Sequence, residues 1–457
     1  MKVIVCGAGQ VGSQIARHLS DEGNAVTVID NNAQLVRNVT DALDVAGVVG
    51  FASHPDVLAR AGARDTDMLI AATSLDEVNM VACQVAHSVF EVPTKIARIR
   101  TDSYLETEYS DLFQRDHMPI DVIISPEAEV AKLTMRRLGA TAAFDIEPFL
   151  GGAVDFVGLK LEEDCPVINT PLRQLSELFS TLRALVVAVR REGKIWVTHS
   201  DDQLFPGDDV YLLAAHEDLD RTIEIFGRKN LTAQRIVVIG AGNVGLRVAR
   251  LIESSPGMRC KMIERDRARA EFAADRLERT IVLNGDALSA ELLAEAGIAE
   301  ADAIVALTND DRTNLLSCAL AEQAGCPISI ALSNDPTFER IAVPLGVDAL
   351  INPRATTVST ILRHVRRGRV RAVHSVGSGE GEVIEAQVMA TSPIAGKRVR
   401  DIHFPPGSII GAVQSDGKLA MPNGDTVIRV GDVMVMFAAR AAVHQVEQLF
   451  RVSPEFF

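Results

Sequence analysis

The chain has 457 residues, enough for about three domains of ordinary size. Acidic residues outnumber basic ones by 61 to 46, a formal charge of −15 that argues against general binding of nucleic acid and against lying flat on an anionic membrane. Aromatics make up only 4%, so the cores must be aliphatic, as parallel sheets of Val, Ile and Leu are.

The N-terminus, Met1-Lys2-Val3-Ile4-Val5, opens directly into an apolar run without the basic region and cleavage site of a secretory signal. No apolar run reaches the ~18 residues needed to span a bilayer. The expectation is a cytoplasmic chain whose membrane role, if any, passes through a partner. The cysteines (Cys6, Cys83, Cys165, Cys260, Cys318 and Cys326) form no C-x-x-C pair and read as reduced thiols.

In chain order, strands are predicted at 3–6, 26–29, 45–49, 69–72, 96–99 and 122–124, with amphipathic helical segments such as 13–22 and 76–90 between them. Strand, helix, strand repeated in this way means a parallel sheet with right-handed crossovers. A different texture follows, with short strands such as 185–189 and 210–213 separated by Gly, Pro and Asp turns, as in a small α+β lobe. The α/β pattern then returns at 236–239, 261–263, 281–283, 304–307, 328–332 and 349–351, and the lobe pattern at 409–413 and 433–437. The chain is therefore a duplication. Gly7-Ala8-Gly9-Gln10-Val11-Gly12 recurs as Gly240-Ala241-Gly242-Asn243-Val244-Gly245; Thr73, Asn79 and Cys83 recur as Thr308, Asn314 and Cys318; Ser125-Pro126 recurs as Asn352-Pro353. The expected fold is α/β, two tandem Rossmann units with doubly wound parallel sheets, each followed by a small α+β C-terminal lobe. The expected boundaries are 1–137, 138–230, 231–370 and 371–457.

A lone G-x-G-x-x-G says little, but here the required context is met twice: a strand before, a helix after, and an acid about 20 residues on. Gly7 and Gly240 allow the tight turn, Gly9 and Gly242 let the backbone approach a pyrophosphate, and Gly12 and Gly245 let helix and strand pack closely. The helix N-terminus offers free N–H groups to phosphate. Asp30 and Glu264, ending the second strand of each half, suit ribose hydroxyls. They would repel a 2′-phosphate by about 4 kcal/mol at ~4 Å and an effective dielectric of ~20, before solvent screening. NAD(H) or an adenine nucleotide is expected over NADP(H), although Arg265 beside Glu264 offsets part of that repulsion in the second half. Thr73, Ser74 and Thr308 end the fourth strands, where open α/β sheets bind ligands. Arg98 ends the fifth strand and suits a phosphate; a surface ion pair is the alternative. Its counterpart is Leu332, so the two sites differ in charge.

The sequence offers little for catalysis. It has no H-E-x-x-H, no Walker-type loop and no other metal-ligand spacing among its ten histidines. His54 reads as a loop residue with a local role, and Cys83 and Cys318 as core. Arg363, Arg366, Arg367, Arg369 and Arg371 cluster where the second Rossmann unit passes into its lobe, with Arg136 and Arg137 at the matching junction. They read either as a solvated helix end or as a docking patch for an acidic surface or a ligand phosphate.

Two G-A-G-x-V-G Rossmann units, each with a small lobe carrying a Gly-Asp turn, resemble the TrkA family, the peripheral subunits of Trk-type potassium uptake systems, built of RCK (KTN) domains. Further marks are Asp67-Met68-Leu69-Ile70-Ala71-Ala72-Thr73, the stretch from Asn79 to Ala86, Ile96-Ala97-Arg98-Ile99-Arg100 and Phe404-Pro405-Pro406-Gly407. The resemblance covers essentially the whole chain. It implies a non-catalytic regulator that binds NAD(H) and ATP or ADP. It also implies a homo-dimer or tetramer forming an RCK ring beneath a membrane-embedded potassium-translocating subunit, held peripherally on the inner face of the membrane. By carry-over, Gly7 to Val11, Asp30, Thr73, Ser74 and Arg98 form the first site, and Gly240 to Val244, Glu264 and Thr308 the second. The alternatives are an NAD-dependent oxidoreductase and an RCK-type regulator of a different cation transporter. A DNA-binding redox sensor fits neither the charge nor the lack of a helix-turn-helix extension.

Overall fold

The structure, a computed structural model, describes residues 1–114, 116–179, 181–229, 232–365, 370–377 and 379–450. Its strands, in chain order, are β1 (Lys2–Cys6), β2 (Ala25–Asp30), β3 (Ala46–Val49), β4 (Met68–Ala71), β5 (Thr94–Arg98), β6 (Val122–Ile124), β7 (Asp145–Phe149), β8 (Val154–Lys160), β9 (Ala184–Arg191), β10 (Lys194–Val197) and β11 (Asp209–Ala215). The second half continues with β12 (Arg235–Ile239), β13 (Arg259–Glu264), β14 (Ile281–Asn284), β15 (Ala303–Ala306), β16 (Ser329–Leu332), β17 (Ala349–Ile351), β18 (Val370–Val376), β19 (Gly381–Gln387), β20 (Ser408–Ser415), β21 (Lys418–Ala420) and β22 (Val433–Ala439).

The chain forms two compact units. One combines Met1–Thr134 with Gln234–His364, the other Met135–Ala233 with Val365–Phe457. The first unit thus joins the two Rossmann halves. Their parallel sheets have the orders β3-β2-β1-β4-β5-β6 and β14-β13-β12-β15-β16-β17. In each, the order reverses between the first and fourth strands, and the crevice at their carboxyl ends is where such sheets bind ligands. The central strands β4 and β15 are buried along their whole length, so they read as unbroken apolar runs, while the edge strands β3 and β14 are largely exposed. The helix Asp76–Ser88 buries Asn79, Met80, Cys83 and Ala86, a helical stripe facing the sheet. Its counterpart Asp311–Gln323 buries Asn314, Leu315, Cys318 and Ala321. All six cysteines are buried and free, and burial pushes the Cys6 thiol up to about 12. The two halves touch directly through an Arg247–Asp102 ion pair and the Thr360 hydroxyl against Glu129 at 3.4 Å.

The helix after β1 starts at Gln10, inside the glycine motif, rather than at 13 as the apolar spacing suggests. Backbone geometry set by the glycines decides the start, not the first apolar side chain.

The second unit joins the two lobes, with antiparallel sheets ordered β10-β9-β11-β8-β7 and β18-β19-β22-β20-β21. One shared core runs through both, built on Phe149, Phe156 and Tyr211 from the first lobe and Val383, Ala412 and Phe437 from the second. A Cβ at Gly411 would lie 2.2 Å from the Leu213 side chain, which is why that strand position is bare. In the Gly207-Asp208 turn, the Asp208 carboxylate takes both Arg191 Nε and Nη2, at 2.6 and 2.7 Å.

Candidate nucleotide sites

β1 runs into Gly7, whose φ of +107° is open only to glycine. A Cβ there would stand 3.0 Å from the Ala72 carbonyl oxygen, and one at Gly12 only 1.8 Å from that of Gly7. Gly240 (φ +97°) and Gly245 repeat the pattern, the latter 1.9 Å from the Gly240 oxygen. Gly9 and Gly242 differ, because a Cβ on either meets no protein atom within 4 Å. Each lies at the N-cap of a helix without a side-chain cap, and Ser13 and Leu246 make the first backbone bonds back to them at 2.9 Å. The N–H groups of Gln10 and Val11, and of Asn243 and Val244, have no helical acceptor and line the crevice.

The strand-end acids brace these loops. Asp30 accepts from the Ala8 N–H at 2.7 Å and the Asn32 N–H at 2.8 Å. Glu264 accepts from the Ala241 N–H at 2.6 Å and the Asp266 N–H at 2.9 Å.

The Thr73 and Thr308 hydroxyls each donate to a fully buried amide, Asn79 and Asn314, at 2.7 Å. Each amide in turn donates to the carbonyl that ends the fifth strand, Arg98 or Leu332, at 2.8 Å. The threonines are thus fixed at the ends of the fourth strands, Thr73 and Ser74 lining the cleft and Thr308 the smaller hollow beside it. These asparagines stood in the repeat alignment, but their role as a tie between strand ends is a tertiary fact. The same holds for buried Asp76, whose carboxylate receives the N–H groups of Arg100 and Thr101 at about 3 Å.

The sites do not stand apart. One cleft of about 890 Å³ is lined from the first half by the glycine loop, Asp30, Phe51, Ser74, Arg98, Arg100 and Glu127. From the second half it is lined by Gly242, Asn243, Val244, Arg269, Leu332 and Arg354. A smaller hollow of about 270 Å³ continues along Gly240, Glu264, Arg265, Asp286 and Thr308. The larger volume is that of an ordinary ligand pocket. Arg98 Nε and Glu127 Oε2 are buried with no hydrogen-bond partner among the described residues, although Arg100 Nε meets the other Glu127 oxygen at 2.9 Å. Burial, with Arg100 adding to it, lowers the Arg98 pKa against the pull of Glu127 and Asp76. A half-buried cation whose Nε has no acceptor is a group that an anionic ligand would satisfy.

Two features lie elsewhere. His54 occupies the N-cap position of the short helix Pro55–Arg60 without a side-chain capping bond, its ring 5.4 Å from that of Phe51. Of the arginine cluster, Arg366, Arg367 and Arg369 and the Arg363 side chain lie outside the described residues, while Arg371 meets Gln387 at 2.8 Å. Among the described residues no group of His, Cys, Asp and Glu is placed to hold a metal, and no helix is long and apolar enough to cross a membrane.

This is the architecture of a tandem RCK protein. The TrkA-N domain family matches residues 3–126 and 236–353, and the TrkA-C domain family 156–227 and 383–451. The chain is 51% identical to the Trk system potassium uptake protein TrkA of Azorhizobium caulinodans and 37% identical to that of Halomonas elongata, covering 100% of itself and of each relative. The solved GsuK RCK domain superposes with a TM-score of 0.60 at 17% identity, over 98% of this chain and 94% of that one. The GsuK channel bound to NAD gives 0.60 at 17% identity, over 98% and 78%. The chain belongs to the TrkA family of Trk system potassium uptake proteins.

Proposed function

We propose that the chain is the nucleotide-sensing regulatory subunit of a potassium uptake system, binding NAD(H) and ATP or ADP at its Rossmann crevices and catalysing no reaction. The observation that carries the nucleotide reading is the composite cleft, in which two glycine loops, two helix N-termini and the unmatched Arg98 line one space. Asp30 and Glu264 favour ribose hydroxyls over a 2′-phosphate. One relative of the same fold is described as bound to NAD, which agrees with this choice. The potassium assignment rests on the curated relatives, which are named as potassium uptake proteins.

Control follows from where the cleft lies. Both halves line it, so a ligand that fills it touches both and has different affinity for different spacings of the halves. Only that difference shifts a conformational equilibrium; tight binding alone shifts nothing. Coupling of about 1–3 kcal/mol per site, summed over a homo-oligomeric ring beneath a membrane-embedded potassium-translocating subunit, suffices to move a gate.

The test is potassium uptake at limiting external potassium in cells lacking the gene, complemented with wild type or Asp30→Ala. Uptake lost without the gene, restored by wild type and impaired with the variant is expected. Normal uptake without the gene, in a strain with no second potassium system, would refute the proposal.

A further inference from the structure

The duplication allows the two sites to be compared residue by residue. Gly50 follows β3 and donates its N–H to the Asp30 carbonyl, and Gly285 follows β14 and donates to that of Glu264, both at 2.9 Å. The next residue is Phe51 in one half and Asp286 in the other. Asn32 and Asp266 cap the following helices, and the residues three further on, Leu35 and Arg269, donate N–H groups back to those caps. Phe51 and Leu35 line the first site beside Asp30, while Asp286 and Arg269 line the second beside Glu264, Arg269 also reaching the wall of the first. Equivalent positions are thus an apolar pair in one site and a charged pair in the other.

With a pyrophosphate on the glycine loop and a ribose on the acid, a base would fall on the far side of the acid, toward the residue after the third strand, where these positions lie. Resting on the nucleotide-binding reading above, we propose that the first site is base-tolerant and takes guanine as well as adenine nucleotides, whereas Asp286 makes the second site selective for adenine. Phe51 keeps 49% of its surface open while its ring lies against His54. An aromatic face and an aliphatic side chain recognise the flat π surface that all bases share. Asn31, also lining this site, carries both a donor and an acceptor and suits either a 6-amino or a 6-oxo group. An ionised carboxylate only accepts. Asp286, with one oxygen already taking the Leu288 N–H at 3.0 Å, therefore fits the 6-amino group of adenine and opposes the 6-oxo group of a guanine held in the same pose.

The test is calorimetric titration of the full-length protein with ATP and with GTP, on wild type, Phe51→Asp and Asp286→Phe. Both side chains are exposed, and circular dichroism checks that the variants fold. Wild type is expected to bind GTP at one site per chain with affinity within about tenfold of ATP. Phe51→Asp should weaken GTP at least about tenfold more than ATP, since a carboxylate placed as Asp286 is would accept from the 6-amino group of adenine and oppose the 6-oxo group of guanine. Asp286→Phe should admit GTP to a second site. Wild type that binds ATP but not GTP, or a Phe51→Asp variant that weakens both alike, overturns the base assignment and leaves nucleotide binding intact. Absence of binding by ATP, GTP and NADH together overturns the nucleotide reading, and this inference with it.

Discussion

Replacing Arg98 by Leu gives the first half the residue of the second, because β5 ends in Arg98 where β16 ends in Leu332. The predicted effects on the empty and the liganded protein have opposite signs. In the empty protein the guanidinium is partly desolvated, with Nε unmatched, so its removal relieves a cost rather than breaking a bond. Thermal stability should hold or rise, by roughly 2–4 °C for each ~1 kcal/mol in a unit of this size. With ligand bound, a phosphate ~4 Å from the cation would gain about 4 kcal/mol at an effective dielectric of ~20. Arg98 is only partly buried, and screening reduces this to about 1.4–2.8 kcal/mol, or roughly 10–100-fold in Kd. Calorimetry with ATP, ADP and NADH at low and high salt measures the loss, which should shrink as salt rises. Unchanged affinity together with a lowered melting temperature would mean that Arg98 serves the fold through Glu127 and Asp76, and would refute the ligand role.

The remaining predictions follow from single distances. Gly12→Ala sets a Cβ 1.8 Å from the Gly7 carbonyl and should lower the urea midpoint markedly; Gly9→Ala meets nothing within 4 Å and should keep that midpoint while weakening nucleotide binding. Equal midpoints for the two variants would contradict the reading of the loop. Asn79→Ala removes a fully buried amide that bonds to Thr73 and to the Arg98 carbonyl, and should cost about 1–3 kcal/mol in equilibrium unfolding; a cost near zero would show that the strand ends hold without it. In the lobes, His374 Nε2 lies 2.9 Å from Asp145, with Glu147 at 4.0 Å and the Phe156 ring alongside. Burial works against the Asp145 carboxylate, but His374 and Arg137 outweigh it and hold its pKa below the ordinary value. A depressed carboxylate adds stability above its unfolded pKa of about 3.9, and that stability is lost as pH falls through the folded value. His374→Ala should therefore be destabilised near pH 5, by an amount that shrinks as pH is lowered below about 3.9; a difference that does not shrink on acidification would rule out this pair as its source.

Most of the fold was legible because its signals are local and occur twice. All twelve strands of the Rossmann halves were placed within a few residues, since a buried parallel strand is an unbroken apolar run and most end at residues such as Gly7, Asp30, Gly50 and Thr73. The glycine spacing likewise marked where a backbone must come close to a ligand or to itself. What the sequence did not carry were the ties made after folding. Asn79 and Asn314 stood out only as matching positions of the repeat, and only the packed sheet shows that their amides bind the ends of two strands together. No motif singles out Glu127, which lies buried beside Arg100 in the cleft wall.

The joining of the two Rossmann halves in one compact unit has a consequence that neither half shows alone. Two identical halves would present matching charges to the space between them. Here the matches are broken at four lining positions: Arg98 stands opposite Leu332 in the repeat, Glu127 opposite Arg354, Leu35 opposite Arg269 and Phe51 opposite Asp286. The backbone parts needed for any nucleotide, the glycines and the strand-end acids, are kept in both halves. Duplication therefore preserved the glycines and strand-end acids proposed to hold phosphate and ribose and let the rest diverge. Such a chain can hold two different ligands in linked crevices, and linkage requires each to alter the other's affinity by the same factor. Titrating NADH in the presence and absence of saturating ATP, and then ATP with and without saturating NADH, should return one coupling factor from both directions. A factor of one in both would mean that the halves act independently despite their shared wall.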